Sequence, residues 1–252
     1  MKKLYLILLA LAISLPGIAY WLLRPVYEIK YLKEPSVLMQ SQDNKLFLVF
    51  DFDGTLIESF DYLIHVFNDL ADTYNYKKIV PDQHEYIRGL SLFQISKEYG
   101  VTWYKLPFVA KKARALMKQQ IPNLNPVSGI KEMLQALDAS GYCLGILTSN
   151  SVENVELFLH KHDLNMFSVI CSESGVFNKH HIFGKLKKQL NLAGNKLIYV
   201  GDEIRDIDAA RKGGVRIISV SWGHNNRDAL VKNKPDAIID SPEQLINTVK
   251  GF

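Results

Sequence analysis

Residues 46–50, Leu-Phe-Leu-Val-Phe, carry no polar side chain and run straight into Asp51-Phe52-Asp53-Gly54-Thr55. A short continuous apolar run bounded by a turn signal reads as a buried parallel strand. Two carboxylates, Asp51 and Asp53, then appear as the strand ends. A strand has a period of two, which would put both on one face. Gly54 breaks the strand just after them, so Asp53 falls in the turn with its side chain free to aim elsewhere. Carboxylates at the carboxyl end of a buried strand lie where open α/β sheets place their ligands. Burying an unpaired charge is expensive, and a hard divalent cation with oxygen ligands, such as Mg2+, is the natural solution. Taken alone, Asp-x-Asp-Gly reads equally as a turn.

Downstream, two patterns alternate with that strand. Residues 58–124 are helical throughout. Apolar positions recur at helical spacing from Phe60 to Ala71, Pro81-Asp82 is a helix start, and two further helical segments follow at 92–99 and 107–120. From Gly129 onward, helices and short apolar strands alternate. Strands are predicted at 142–147, 167–170, 197–200, 215–220 and 237–239, with helices between them, among them one starting at Lys185. This order implies right-handed crossovers and a doubly wound parallel sheet. The predicted fold is thus an α/β core of residues 45–57 and 125–252, an inserted helical cap of residues 58–124, and a tether of residues 25–44.

Residues 1–24 are predicted to form a hydrophobic helix. Lys2 and Lys3 precede an uncharged run of residues 4–23 that ends at Arg24. Twenty helical residues span roughly 30 Å, the thickness of a hydrocarbon core. Tyr5, Tyr20 and Trp21 suit the two interfaces. The run reads as a single-pass anchor in a lipid bilayer. The rival is a signal segment cleaved near Gly17-Ile18-Ala19, which would export the domain. Lys2 and Lys3 on one side and Arg24, Lys30 and Lys33 on the other slightly favour a cytoplasmic domain.

The formal net charge is +4, with lysines scattered rather than arrayed with aromatics, so a nucleic-acid partner is excluded. Cys143 and Cys171 sit in apolar segments and read as reduced core residues.

Four polar signals fall at strand ends or helix starts: Asp51 and Asp53, Ser149-Asn150, Lys185, and Asp202 with Asp206 in GDEIRD. At the carboxyl edge of one parallel sheet they would converge. A carboxylate nucleophile, a metal, a fixed lysine and hydroxyl or backbone donors suit phosphoryl transfer. The four stretches DFDGT, LTSN, the lysine of FGK and GDEIRD resemble the motifs of the haloacid dehalogenase superfamily, in its phosphatase branch with a helical cap. The stretches IYVGDEIRDIDAARKGGV, SVSWG and PDAIID are similar to phosphoglycolate phosphatase-like members.

The resemblance implies an enzyme that hydrolyses a small phosphorylated metabolite with Mg2+. Asp51 would be the nucleophile forming an aspartyl-phosphate, and Asp53 the general acid and base. Asp51, the backbone carbonyl of Asp53 and Asp202 would ligate Mg2+, with Asp206 supporting the metal or orienting the lysine. Ser149 and Asn150 would bind phosphoryl oxygens or substrate, and Lys185 would neutralise charge between phosphoryl group and nucleophile. The family often has proline after that lysine, whereas Leu186 follows here. The second acid, Asp53, suits enzymes that must protonate a leaving oxygen. In the cap, Arg88 before Gly89-Leu90-Ser91 would grip an anionic part of the substrate.

Simpler readings stand beside these. Ser149-Asn150 is also a plain turn, Lys185 a solvated helix lysine, Asp206 a first-turn helix acid, and Arg88 an exposed residue at a capped helix end. Seven histidines form no ligand pattern. Two other functions fit the same architecture: a phosphomutase, and a membrane-tethered binding module that has lost catalysis.

Overall fold

The computed structural model describes residues 27–34, 46–102, 104–173, 179–192 and 196–252. Its strands are β1 (Tyr27–Tyr31), β2 (Phe47–Phe50), β3 (Cys143–Thr148), β4 (Val169–Glu173), β5 (Leu197–Gly201), β6 (Arg216–Val220) and β7 (Ala237–Ile239). They form a seven-stranded sheet in the order β1-β4-β3-β2-β5-β6-β7. β2 to β7 are parallel, and β1 alone pairs antiparallel, against β4.

The central strand is β2, and its period of two divides the core. Phe47 and Val49 face one layer, where α7 (Lys179–Gln189) and α8 (Ile204–Lys212) contribute Ile182, Phe183, Leu186, Ile207 and Ala210. Leu48 and Phe50 face the other, where α5 (Ile130–Ala139) and α6 (Val152–Lys161) contribute Leu134, Leu137, Val155 and Phe158. Full burial on both faces explains why the strand carries no polar residue before Asp51. The short helices α9 (Arg227–Lys232) and α10 (Leu245–Thr248) follow β6 and β7.

The sequence leaves the sheet after β2 for the cap and comes back to β3. It winds outward to β4, then crosses to β5 on the other side of β2. The chain reverses its winding direction between β2 and β5, and a ligand crevice opens at such a switch point. The cap comprises α1 (Phe60–Tyr74), α2 (His84–Arg88), α3 (Leu92–Tyr99) and α4 (Leu106–Gln120). It has small cores of its own, one around Val66, Leu70, Val109 and Met117, the other around Ile64, Ile87 and Tyr99. Two adjacent passages join it to the sheet: Ile57 bridges Pro126, and the Glu58 amide donates to the Asn125 carbonyl at 3.0 Å.

Two expectations change. Residues 25–44 are not all tether, because Tyr27–Tyr31 is an edge strand. The alternation Tyr-Glu-Ile-Lys-Tyr turns Ile29 and Tyr31 onto the core and leaves Lys30 to pair with Glu156 at 2.7 Å. The helix expected from Lys185 already includes Lys179. The apolar run of residues 4–23 lies outside the described residues. No helix among those described is long and apolar enough to cross a membrane.

Candidate active site

Asp51 follows β2 directly and is buried, its amide donating to the Val200 carbonyl at 2.8 Å. Its Oδ1 accepts from the Phe52 amide at 2.8 Å. Its Oδ2 accepts from the Lys179 ammonium at 2.6 Å. The same ammonium donates to Asp206 Oδ1 at 2.8 Å and to the Tyr199 hydroxyl at 2.7 Å. An ammonium has three protons, so all are committed.

Lys179, not Lys185, is the lysine of this site. Lys179, Ile182, Phe183 and Leu186 are the buried residues of α7, spaced i, i+3, i+4, i+7 along one face. Lys185, six residues on, is turned about 240° around the helix axis from Lys179. Its ammonium lies 2.9 Å from the centre of the Tyr27 ring on the edge strand. The helical spacing was present in the sequence, but it becomes visible only when the helix is begun at Lys179 rather than at Lys185.

Asp53 lies past the strand end, in the turn that Gly54 completes with a φ of 73°. A side chain at Gly54 would also collide with Asp202 and His224, so the turn needs glycine on two counts. Asp53 Oδ2 accepts from Asn150 Nδ2 at 2.5 Å, and its Oδ1 is buried with no hydrogen-bond partner among the described residues. Asn150 thus holds the second carboxylate. Its own amide is fixed by Thr148 Oγ1 at 3.0 Å, and its carbonyl accepts from Ser172 Oγ. Ser149 is half-buried at the same edge.

Asp202 ends β5 as a fully buried carboxylate. Thr55 Oγ1 donates to its Oδ1 at 2.7 Å, and the His224 amide to its Oδ2 at 2.7 Å. The His224 ring Nδ1 lies 2.8 Å from the same oxygen. Asp206 stands in the first turn of α8, where its Oδ2 accepts from the Glu203 amide at 3.1 Å. Its role as a first-turn acid and its hold on Lys179 coexist, one oxygen for each.

Two charged groups were not anticipated. His224, in the loop after β6, showed no ligand spacing because its partner is 22 residues away in sequence. Arg205 donates to Glu203 Oε1 at 2.5 Å, and its charge acts on Asp51 and Asp206. Both cations lie among the acids, so the site is a mixed cluster rather than an acidic patch.

Arg88 is placed differently from its expectation. Its Nη2 donates to the Gly223 carbonyl at 2.8 Å, and the guanidinium lies 5.3 Å from the Phe60 ring centre. Asn225 Nδ2 donates to the carbonyls of Arg88 and Leu90, both at 2.9 Å. These bonds latch cap to core across the catalytic edge. Arg88 Nη2 is turned toward the backbone carbonyls of Ser221 and Gly223.

Burial pushes Asp51 up to about 8; Lys179 opposes this, and Asp206 and Asp202 add to it. Burial lifts Asp53 to about 6 against the pull of His224. Burial alone would raise Asp202, but the His224 charge and the hydrogen bonds from His224 and Thr55 hold it below its ordinary value. Burial would lower His224, yet Asp202 raises it to about 9. Asp51, Asp202 and Asp206 each offer a carboxylate oxygen, all within 4.8 Å of one another. An oxygen-only donor set of three buried carboxylates fits a hard divalent cation such as Mg2+.

A stability profile follows. Asp51 and Asp53 are both raised from 3.8, so their contribution is fully present below about pH 4. It is lost as pH rises through about 6 for Asp53 and about 8 for Asp51. His224, raised from 6.5 to about 9, acts in the same direction at higher pH. EDTA-treated protein is expected to unfold at lower urea at pH 9 than at pH 6, with saturating Mg2+ narrowing the gap. A midpoint that rises with pH in EDTA would contradict this account of the site.

The geometry can be set beside known proteins. Residues 48–220 match the family model described as haloacid dehalogenase-like hydrolase. The chain belongs to the haloacid dehalogenase-like hydrolases. It is 30% identical over 203 residues to a phosphoglycolate phosphatase of Synechococcus elongatus, covering 80% of this chain and 96% of that protein. A phosphoglycolate phosphatase of Aliivibrio fischeri is 27% identical over 221 residues, covering 81% and 96%. The solved structure of a haloacid dehalogenase-like hydrolase of Streptococcus pneumoniae shares the fold, with a TM-score of 0.63 at 21% identity over 81% of this chain and 98% of that one. Within the family the chain falls with the phosphoglycolate phosphatase-like branch, and it is a phosphatase.

Proposed function

We propose that this phosphatase hydrolyses a small phosphomonoester of the phosphoglycolate kind, with Mg2+, through an acyl phosphate on Asp51. The observation that carries the reading is Asp53. It stands two residues past Asp51, with one buried oxygen unpartnered among the described residues and its carboxyl lifted to about 6. A group titrating near neutrality can both give and take a proton at that pH.

A carboxylate oxygen of Asp51 attacks phosphorus, and the bond from phosphorus to the leaving oxygen breaks. Asp53 gives its proton to the departing alkoxide. Water then attacks the aspartyl-phosphate while Asp53 takes its proton, the bond from phosphorus to Asp51 breaks, and inorganic phosphate leaves. Lys179 keeps Asp51 oriented and balances its charge, and Asp206 and Tyr199 keep Lys179 in place. Asn150 aims Asp53, and Ser149, half-buried at the same edge, would donate to a phosphoryl oxygen. Asp51, Asp202 and the Asp53 carbonyl would hold Mg2+, which when bound neutralises charge on the phosphoryl oxygens.

We infer also that residues 4–23 attach the enzyme to a bilayer, with the catalytic domain on the cytoplasmic side. The length of the run and the flanking Tyr5, Tyr20 and Trp21 support this.

The test is phosphate release from a panel of phosphomonoesters by the full chain. Turnover that needs Mg2+ and stops in EDTA is expected, fastest on small anionic esters. Phosphate transfer to a sugar without release would point to a mutase. Binding without any transfer would point to a non-catalytic module.

A further inference from the structure

The register of the edge strand sets where its amino end lies in the sheet. Tyr27 pairs with Glu173, and Thr148 pairs with Ser172, so the amino end of β1 lies level with Ser149 at the catalytic edge. β1 is held there by the Lys185 ammonium on the Tyr27 ring, by Lys30 with Glu156, and by the Tyr31 hydroxyl donating to Gln189 at 3.0 Å. Only residues 24–26 separate Tyr27 from the apolar run. Three extended residues reach about 10 Å.

The cap stands on the same edge. α1 and α4 have 15 residues each. Each is therefore about 22 Å long. The end of α1 and the start of α4 meet where Lys105 Nζ donates to the Tyr74 carbonyl at 2.7 Å. That tip exposes aromatic rings, with Phe108 64% and Tyr104 55% accessible. Lys77, Lys111 and Lys112 are exposed around them. Aromatic rings among lysines are the composition that an anionic head-group layer attracts.

We propose that the catalytic edge faces the bilayer, and that the cap tip around Tyr104 and Phe108 is its lipid-contact surface. The proposal rests on the membrane attachment inferred above. With that run inserted, a link shorter than the cap helices brings the tip against the head groups. A domain anchored through its opposite edge would hold the tip away from lipid. Here the antiparallel β1 sets Tyr27, the residue that the link leads into, at the catalytic edge. The partner is a layer of anionic phospholipid, met by the lysines through charge and by the two rings through insertion at the interface.

The test uses the full chain with one introduced cysteine carrying a fluorescent dye. The site is either Phe108→Cys, at the tip, or Ser140→Cys, in the exposed turn before β3 at the opposite edge. Cys143 and Cys171 are buried, which directs the dye to the introduced thiol. The protein is bound to phosphatidylcholine–phosphatidylglycerol vesicles doped with a lipid bearing a nitroxide on its head group. Quenching several-fold stronger at 108 than at 140 is expected. Adding Lys111→Glu and Lys112→Glu is expected to weaken quenching at 108 while the protein still floats with the vesicles. Equal quenching at both positions, or stronger quenching at 140, overturns the proposal. Failure to float with vesicles at all refutes the attachment itself, and flotation tells the two failures apart.

Discussion

Asp51→Asn is expected to lower the rate of phosphate release by at least ~10⁴-fold, the scale seen when a covalent nucleophile is removed. The amide keeps the size of the side chain and can still accept from the Phe52 amide, as Asp51 Oδ1 does at 2.8 Å. It cannot form an acyl phosphate that water cleaves. The variant is expected to fold, for a physical reason. Burial pushes the Asp51 carboxyl up to about 8, so its charge opposes folding as pH rises toward that value in metal-free protein. A neutral isostere removes that term. The Lys179 ammonium loses one counter-ion but keeps Asp206, so thermal unfolding in EDTA should still show one cooperative transition, and single-turnover assays should show no burst. Residual turnover within tenfold of the parent would remove Asp51 as the nucleophile.

The second large effect separates two lysines on one helix. Lys179→Ala is expected to cost about 10³-fold in turnover, as for other charge-stabilising groups in enclosed sites. It also leaves Asp51 and Asp206 buried without their shared cation. Breaking a buried ion pair by removing one partner typically costs about 3–5 kcal/mol. The cost should sit at the low end, because Asp51 can take up a proton near neutral pH. Lys185→Ala should leave turnover unchanged, since its ammonium lies on the Tyr27 ring at the sheet edge. Steady-state kinetics and urea unfolding of both variants decide this. Loss of activity in the Lys185 variant with a normal Lys179 variant would reverse the assignment.

The chemistry was legible because strand ends announce themselves. A buried strand cannot carry an acid without a purpose, so Asp51 and Asp202 stand out after runs such as Phe47–Phe50 and Leu197–Gly201. The winding was legible for a related reason, since parallel strands need helical crossovers and the alternation from Gly129 onward supplies them. Pairings between distant segments were not. The His224 contact to Asp202 depends on the loop after β6 folding back over the end of β5. The contacts of Arg88 with Gly223, Asn225 and Phe60 likewise join segments far apart in the chain.

By itself, the sequence determined the parallel α/β core, the inserted helical cap, and the acids that end the strands. Each of these is a local consequence of periodicity and of the high cost of buried charge. Tertiary structure alone decided which lysine serves them. Helical phase turns Lys179 inward with Ile182, Phe183 and Leu186 and turns Lys185 to the edge strand. It also decided that Tyr27–Tyr31 pairs antiparallel with β4, which sets the amino end of that strand beside the catalytic edge. Register between strands far apart in the chain is set by packing across the sheet, and no local pattern in either strand encodes it.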